Sequence, residues 1–290
     1  MQYLYTVCGI RVLIDTPFEI HIYIESEAFL SLPGEDAQAD INMIFRPVDK
    51  LPELSNDDQR GHWETDRLYI DSEGGEQVYH CPSRYKSPYA RVTWVKEFGD
   101  SKRMVLCDYR KGMESYMNYS HNLCSLIGLE TLLLKYNGLL LHSSFIRWEG
   151  MGILFSAPSG TGKSTQAALW VQHEGAEIIN GDRAGMIKQQ NQWTAWGLPV
   201  AGSSNVYRNE SAPVKTIIAL RQVSENRIRR LRPGEAFRYL YPEVTVHAWD
   251  RSDVEHASEL LLELVTEVPV YLLECRPDTE AVSLVRGTLI

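Results

Sequence analysis

The residues best suited to chemistry lie in one run, Gly152-Ile153-Leu154-Phe155-Ser156-Ala157-Pro158-Ser159-Gly160-Thr161-Gly162-Lys163-Ser164-Thr165. Ser159, Gly160, Thr161, Gly162, Lys163, Ser164 and Thr165 form a glycine-rich turn between a strand-prone and a helix-prone stretch. In that context consecutive backbone N–H groups point inward around a phosphate. Gly160 and Gly162 permit the necessary dihedrals, and the helix N-terminus adds roughly half a positive charge. Lys163 is then placed to bridge the β- and γ-phosphates of a nucleotide, and the Ser164 hydroxyl to ligate Mg²⁺. The full pattern opens on Gly where this chain has Ala157, and a methyl there requires a negative φ. The competing reading is a Ser/Gly turn that merely precedes a helix.

Two further groups flank this run. Asp182 closes Ile178-Ile179-Asn180-Gly181-Asp182-Arg183, at the end of an apolar strand-like stretch. A carboxylate there meets a general need of phosphoryl transfer, since it can hold the metal or take the acceptor proton. The Asn180-Gly181 pair is also an ordinary turn signal. His142 sits in Leu139-Leu140-Leu141-His142-Ser143-Ser144-Phe145. Taken alone, a histidine in an apolar strand reads as a satisfied core residue.

These groups require elements to position them. Over 139–147 and 152–156 the apolar runs predict two strands joined at Glu149-Gly150. A helix follows over 163–173, ended by Gly175, and then a strand over 176–180. Residues 185–189 and 193–196 flank Gln190-Asn191-Gln192 as a hairpin, and 214–221 reads as a strand. The C-terminal part alternates helix (254–265), strand (268–273) and helix (279–289). Leu123, Ile127, Glu130, Leu133 and Leu134 predict one helix from Ser120, capped by Asn137-Gly138. Strands and helices mixed in this way make residues 120–290 an α/β domain.

Residues 1–119 carry short alternating runs at 19–24, 40–45 and 90–95, separated by turn signals at Pro33-Gly34 and Gly74-Gly75. They predict an antiparallel β-rich domain with a polar loop over 47–61. Arg221, Arg227, Arg229, Arg230 and Arg232 surround Ser224-Glu225-Asn226 as a hairpin with a solvated basic face. Trp170, on the helix after the glycine-rich turn, reads as core.

The stretch LLLHSSFIRWEGMGILFSAPSGTGKSTQAALW, followed by GAEIINGDRAGM, resembles HPr kinase/phosphorylase and shorter HPr-kinase-like proteins, which share their core with ATP-dependent phosphoenolpyruvate carboxykinase. The resemblance is close over residues 139–186 and loose over the rest of the second domain. It implies an α/β mixed-sheet P-loop kinase core of that type, with ATP and Mg²⁺ as cofactors. His142 would lie beside the transferred phosphate as a metal ligand or as a group orienting the acceptor hydroxyl. Lys163, Asp182 and His142 would carry catalysis, and Ser164 and Asp182 the metal. Where the family carries two consecutive Asp, this chain has Gly181-Asp182, so one carboxylate serves twice or the base comes from elsewhere. The segment 196–205 holds no acidic residue where an HPr kinase supplies one, and nothing suggests an oxaloacetate site. The relatives' assembly implies a homo-oligomer.

Composition sets outer bounds. The chain has 290 residues, with 29 basic against 38 acidic side chains and a net charge of −9, which argues against a sequence-independent nucleic-acid binder. Residues 1–119 hold 20 acidic and 13 basic side chains, a net of −7, and residues 120–290 hold 18 and 16, a net of −2. The near-neutral second part, with its basic stretch, can therefore host an anionic nucleotide. No apolar run reaches the roughly 18 residues of a membrane span, and the start lacks a leader pattern. Five scattered cysteines suggest neither a disulfide framework nor a zinc site. We therefore expect a cytoplasmic protein. The expected activity is γ-phosphoryl transfer from ATP to a hydroxyl, of serine in a protein or peptide or of a small molecule. A nucleotide-binding recognition module without transfer, favoured by Ala157 and Gly181, and a hydrolysing NTPase switch are the alternatives.

Overall fold

The computed structural model describes residues 1–34, 38–53, 61–72, 75–83, 87–95, 103–200 and 202–289. The chain is mixed α/β with two large mixed sheets, and it divides into two compact units, Met1–Gly128 and Leu129–Ile290. The boundary read from the sequence lies at 119/120.

The first unit is built on β1 (Gln2–Val7), β2 (Ile10–Asp15), β3 (Leu30–Ser31), β4 (Ile41–Val48), β5 (His62–Glu64), β6 (Arg67–Ser72), β7 (Gly75–His80), β8 (Ala90–Val95) and β9 (Arg103–Arg110), followed by helix α1 (His121–Ile127). Alternate residues of β1, β2 and β4 are buried, as a half-buried sheet requires. The strands run in the order β3-β1-β2-β4-β9-β8-β7-β6-β5. The sheet is not purely antiparallel as expected, because β4 pairs parallel with both β2 and β9. A parallel pair needs a long crossover, and residues 16–40 supply it between β2 and β4. That crossover includes 19–24, so the alternating run there is not a strand. Ile20 is buried, but Ile22 and Ile24 are exposed, and His21 makes only an isolated bridge to Tyr119. The strands expected over 40–45 and 90–95 correspond to β4 and β8. Strand β4 extends through Val48, into the segment read as a loop. Asn56, Asp57 and Asp58 of that loop, and Gly74 of the Gly74-Gly75 turn, lie outside the described residues.

The second unit begins with α2 (Leu129–Lys135) and continues through β10 (Gly138–Trp148), β11 (Met151–Ser156), α3 (Lys163–Glu174), β12 (Glu177–Asn180), β13 (Arg183–Gln189), β14 (Gln192–Trp196), β15 (Ser211–Gln222), β16 (Arg227–Arg230), α4 (Pro233–Leu240), β17 (Val244–Thr245), α5 (Arg251–Glu267), β18 (Val270–Cys275) and α6 (Thr279–Leu289). The single helix expected from Ser120 is instead two. Gly128, at φ 70° and ψ 95°, ends α1 and breaks the i→i+4 ladder before α2 begins. Gly138 starts β10 and does not act as a cap; Asn137 takes the left-handed conformation at φ 53°.

The strand order is β11-β10-β13-β14-β15-β18-β16. Because β11 also pairs parallel with β15, the path β10-β13-β14-β15-β11 returns on itself. The long strand β10 changes partners along its length. Residues Gly138 to His142 pair with β13, and Ser143 to Trp148 pair with β11. Helices cover both faces. Leu260, Leu261 and Leu264 of α5, with Ala236 and Leu240 of α4, pack against one apolar cluster. Ala167 and Trp170 of α3, with Ala281, Val282 and Val285 of α6, pack against another. Trp170 is fully buried and meets Trp148 edge-on at 5.4 Å between ring centroids, so its truncation to Ala should cost about 3–5 kcal/mol. The basic segment is not a hairpin: β16 pairs with β18, and β18 lies between β15 and β16. Three of its arginines are drawn into ion pairs, Arg221 with Glu274 at 2.9 Å, Arg229 with Glu235 at 3.1 Å and Arg227 with Glu225.

Candidate functional site

The glycine-rich turn runs from the end of β11 into α3. Gly160 and Gly162 have φ of 79° and 100°, which side chains rarely adopt, whereas Ala157 keeps a negative φ, so its methyl is accommodated. The first helical hydrogen bond, from Gln166 N to Gly162 O at 2.9 Å, starts α3 at Lys163. Gln166, Ala167 and Trp170 are buried along one face, which anchors the helix and fixes where its N-terminus points.

His142, Ser159, Gly160, Gly162, Lys163, Ser164, Thr165, Gly181 and Asp182 line one cavity of about 280 Å³. The structure thus brings together every predicted binding, metal or catalytic residue except Thr161. Thr161 donates its N–H to Pro158 O at 3.2 Å and does not line the cavity. Arg183 does not line it either; its guanidinium lies 3.4 Å from Asp182 Oδ2 as an ion-pair partner.

Lys163 is only 7% exposed. Its ammonium donates to the carbonyl of Ala157 at 2.7 Å and to that of Pro158 at 3.4 Å. Burial pulls its pKa below the usual lysine range, and the negative charges of Glu243 and Asp182 oppose that shift. Electrostatically the cavity floor is a desolvated cation facing acidic groups.

Asp182 is placed by its neighbour Asn180, which is fully buried. The Asn180 carboxamide oxygen accepts from the backbone N–H of Asp182 at 2.9 Å and of Arg183 at 3.0 Å, an Asx-type turn. Its amide nitrogen donates to the carbonyls of Leu198 and Val200, at 2.9 and 2.8 Å. The carbonyls of Leu198 and Val200 therefore brace this turn. Gly202 approaches the Asp182 side chain so closely that a Cβ on it would lie 3.0 Å from Asp182 Cγ. A Cβ on Gly181 would collide with the side chain of Ser204.

His142 stands where β10 changes partners, paired with Arg183 of β13 and followed at once by Ser143 opposite Ser156 of β11. Its carbonyl accepts from the Ser156 hydroxyl at 3.0 Å. It is not a sealed core residue, since its side chain is 26% exposed, and Nε2 lies 3.7 Å from Asp182 Oδ1. On the other side, Nδ1 is 2.7 Å from Glu243 Oε2.

Glu243 escaped the sequence reading. It ends a short 3-10 turn after α4, 101 residues from His142, and belongs to no motif. The available signal was an acidic residue between Leu240 and Val244, both buried, because a carboxylate in such surroundings must find a partner.

Ser164 and Asp182 bring a hydroxyl and a carboxylate to the same cavity, hard oxygen donors that fit Mg²⁺. Among the described residues no group of three or more His, Cys, Asp or Glu could hold a metal by itself. A Mg²⁺ ion here would complete its shell with oxygens of water or of a bound ligand.

Residues 105–279, more than half of the chain, match the family described as SynChlorMet cassette protein ScmC. The chain belongs to the ScmC family. The matched span includes every cavity residue and Glu243. Among solved structures, the Hpr(Ser) kinase/phosphatase from Coxiella burnetii is similar at 14% identity and a TM-score of 0.32, over 51% of this chain and 95% of that one. No curated protein matches the chain. Among the described residues no helix is long and apolar enough to cross a membrane.

Proposed function

We propose that this ScmC-family chain is an ATP-dependent kinase with a P-loop core of HPr-kinase type, transferring a γ-phosphoryl group to a hydroxyl, of serine in a protein or peptide or of a small molecule. The observation that carries the reading is the convergence of Lys163, Ser164, Asp182 and His142 on one cavity at the N-terminus of α3. The sequence resemblance over 139–186 supports it independently.

In this reading the backbone of Ser159 to Ser164 cradles the phosphates, and Lys163 exchanges the carbonyls of Ala157 and Pro158 for phosphate oxygens. Ser164 and Asp182 would hold Mg²⁺, which supplies charge neutralisation for the phosphates. Asp182 faces the acceptor, and His142 beside it orients the acceptor hydroxyl. Catalysis rests on positioning and electrostatic stabilisation, with no covalent enzyme intermediate.

The test is incubation of the protein with γ-labelled ATP and serine-bearing peptides, alongside Lys163→Ala. Transfer by the wild type and its loss in the variant are expected. Unchanged nucleotide affinity and turnover in Lys163→Ala would overturn the reading. A second reading, a nucleotide-binding module without transfer, is favoured by Gly181, which brings no second carboxylate and leaves its space to Ser204. Nucleotide binding without transfer to any acceptor would select it.

A further inference from the structure

We propose that Glu243 is a positioning residue of this cavity: it holds the His142 imidazole in the Nδ1–H form and in the orientation that turns Nε2 toward Asp182. The inference rests on the kinase reading for its kinetic consequence only; its geometric content stands apart from it.

The argument begins with burial. The Glu243 side chain is 6% exposed, and a carboxylate so far from water needs a strong polar partner. The partner in contact is His142 Nδ1, at 2.7 Å. As a carboxylate Glu243 can only accept, so Nδ1 carries the proton, and the neutral ring then presents a bare Nε2. That nitrogen faces the cavity, 3.7 Å from Asp182 Oδ1, beyond hydrogen-bond distance. A carboxylate on the far nitrogen of a functional histidine is a general device for selecting one tautomer and one ring orientation.

The fold pins both partners. Val244, next to Glu243, opens β17, which pairs with Leu141 and Leu140 of β10, immediately before His142. Glu243 is therefore tied to the strand that carries the imidazole. Its negative charge also acts on Lys163, opposing the fall in pKa that burial causes. With Gly181 contributing no side chain, the acidic groups here are Asp182 at the surface of the cavity and Glu243 behind His142.

The experiment is a multiple-bond ¹H–¹⁵N correlation of the full chain labelled at its eight histidines, at about pH 8, with His142 assigned by His142→Asn. The expected wild-type spectrum shows Nδ1 protonated and Nε2 bare. Glu243→Ala should revert His142 to the Nε2–H form usual for a free imidazole, whereas Glu243→Gln, which keeps an acceptor oxygen, should preserve Nδ1–H. An Nε2–H or doubly protonated ring in the wild type, or an unchanged Nδ1–H ring in Glu243→Ala, overturns the proposal. Should Glu243→Ala fail to fold, the wild-type tautomer decides alone. In transfer assays Glu243→Ala should lower kcat by about 10–100-fold with a smaller change in the KM for ATP, and Glu243→Gln should recover most of the loss in kcat. A wild type that shows the expected tautomer but transfers nothing defeats the kinase reading and leaves the positioning role of Glu243 standing.

Discussion

The side chain of Ser204 occupies the space that any side chain on Gly181 would need. Gly181 stands where the resembling kinases carry the first of two aspartates, so the missing carboxylate is matched by a filled volume.

Restoring that aspartate should therefore fail unless Ser204 gives way. Gly181→Asp is expected to destabilise the protein by about 1–3 kcal/mol through overpacking. Adding Ser204→Gly should recover most of that loss, because the collision is with the Ser204 Cβ and hydroxyl. Chemical denaturation of the single and double variants measures the coupling. Equal stability of Gly181→Asp and wild type would refute the packing argument.

Asp182→Asn preserves the size of the side chain and the backbone turn that Asn180 supports. It should leave ATP affinity within about threefold of wild type while phosphoryl transfer falls by about 100-fold or more, the loss general-base and charge-stabilising groups commonly carry. Calorimetric titration and a transfer assay separate the two effects. Full activity removes Asp182 from the mechanism.

Asn180→Ala strips partners from the N–H groups of Asp182 and Arg183 and from the carbonyls of Leu198 and Val200 at a fully buried position. We expect a loss of at least about 2 kcal/mol, since each buried polar group left unsatisfied costs roughly 1–3 kcal/mol. A fall in phosphoryl transfer should accompany it, because the Asp182 turn loosens. Thermal unfolding and a transfer assay test both.

His247 gives the fold a pH dependence of its own. Burial alone would lower its pKa, but Asp253, 2.9 Å from Nδ1, and Glu130, 3.6 Å from Nε2, outweigh it and raise the value from 6.5 to about 9. A raised pKa contributes stability that is fully present below 6.5 and lost progressively as pH rises to about 9. Stability against denaturant should decline from pH 6.5 to 9, and His247→Gln should flatten that slope. A wild-type slope that persists unchanged in the variant assigns the effect elsewhere.

Much of the second unit was legible because its signals are local. The turn at Glu149-Gly150 takes positive φ at both residues, as does Gln190-Asn191, and α3 ends at Gly175 in the left-handed conformation. Each is decided by a few adjacent residues. The run 19–24 misled for the complementary reason: it makes only an isolated bridge, from His21 to Tyr119, and of Ile20, Ile22 and Ile24, which a strand would place on one face, only Ile20 is buried. Gly128 broke a convincing helical period because one left-handed residue interrupts hydrogen bonding that side-chain spacing does not report.

The amino-acid order by itself determined the glycine-rich turn, the helix that starts on Lys163, and the small and polar residues around Asp182, since all of these follow from neighbours within a few positions. Tertiary structure decided which strand β16 joins, that β4 runs parallel to both its neighbours, that Ser204 fills the space beside Gly181, and that Glu243 meets His142 across 101 residues. Those choices belong to the folding of distant segments onto a shared core. There the burial of each charge and each methyl depends on chain that no local window contains.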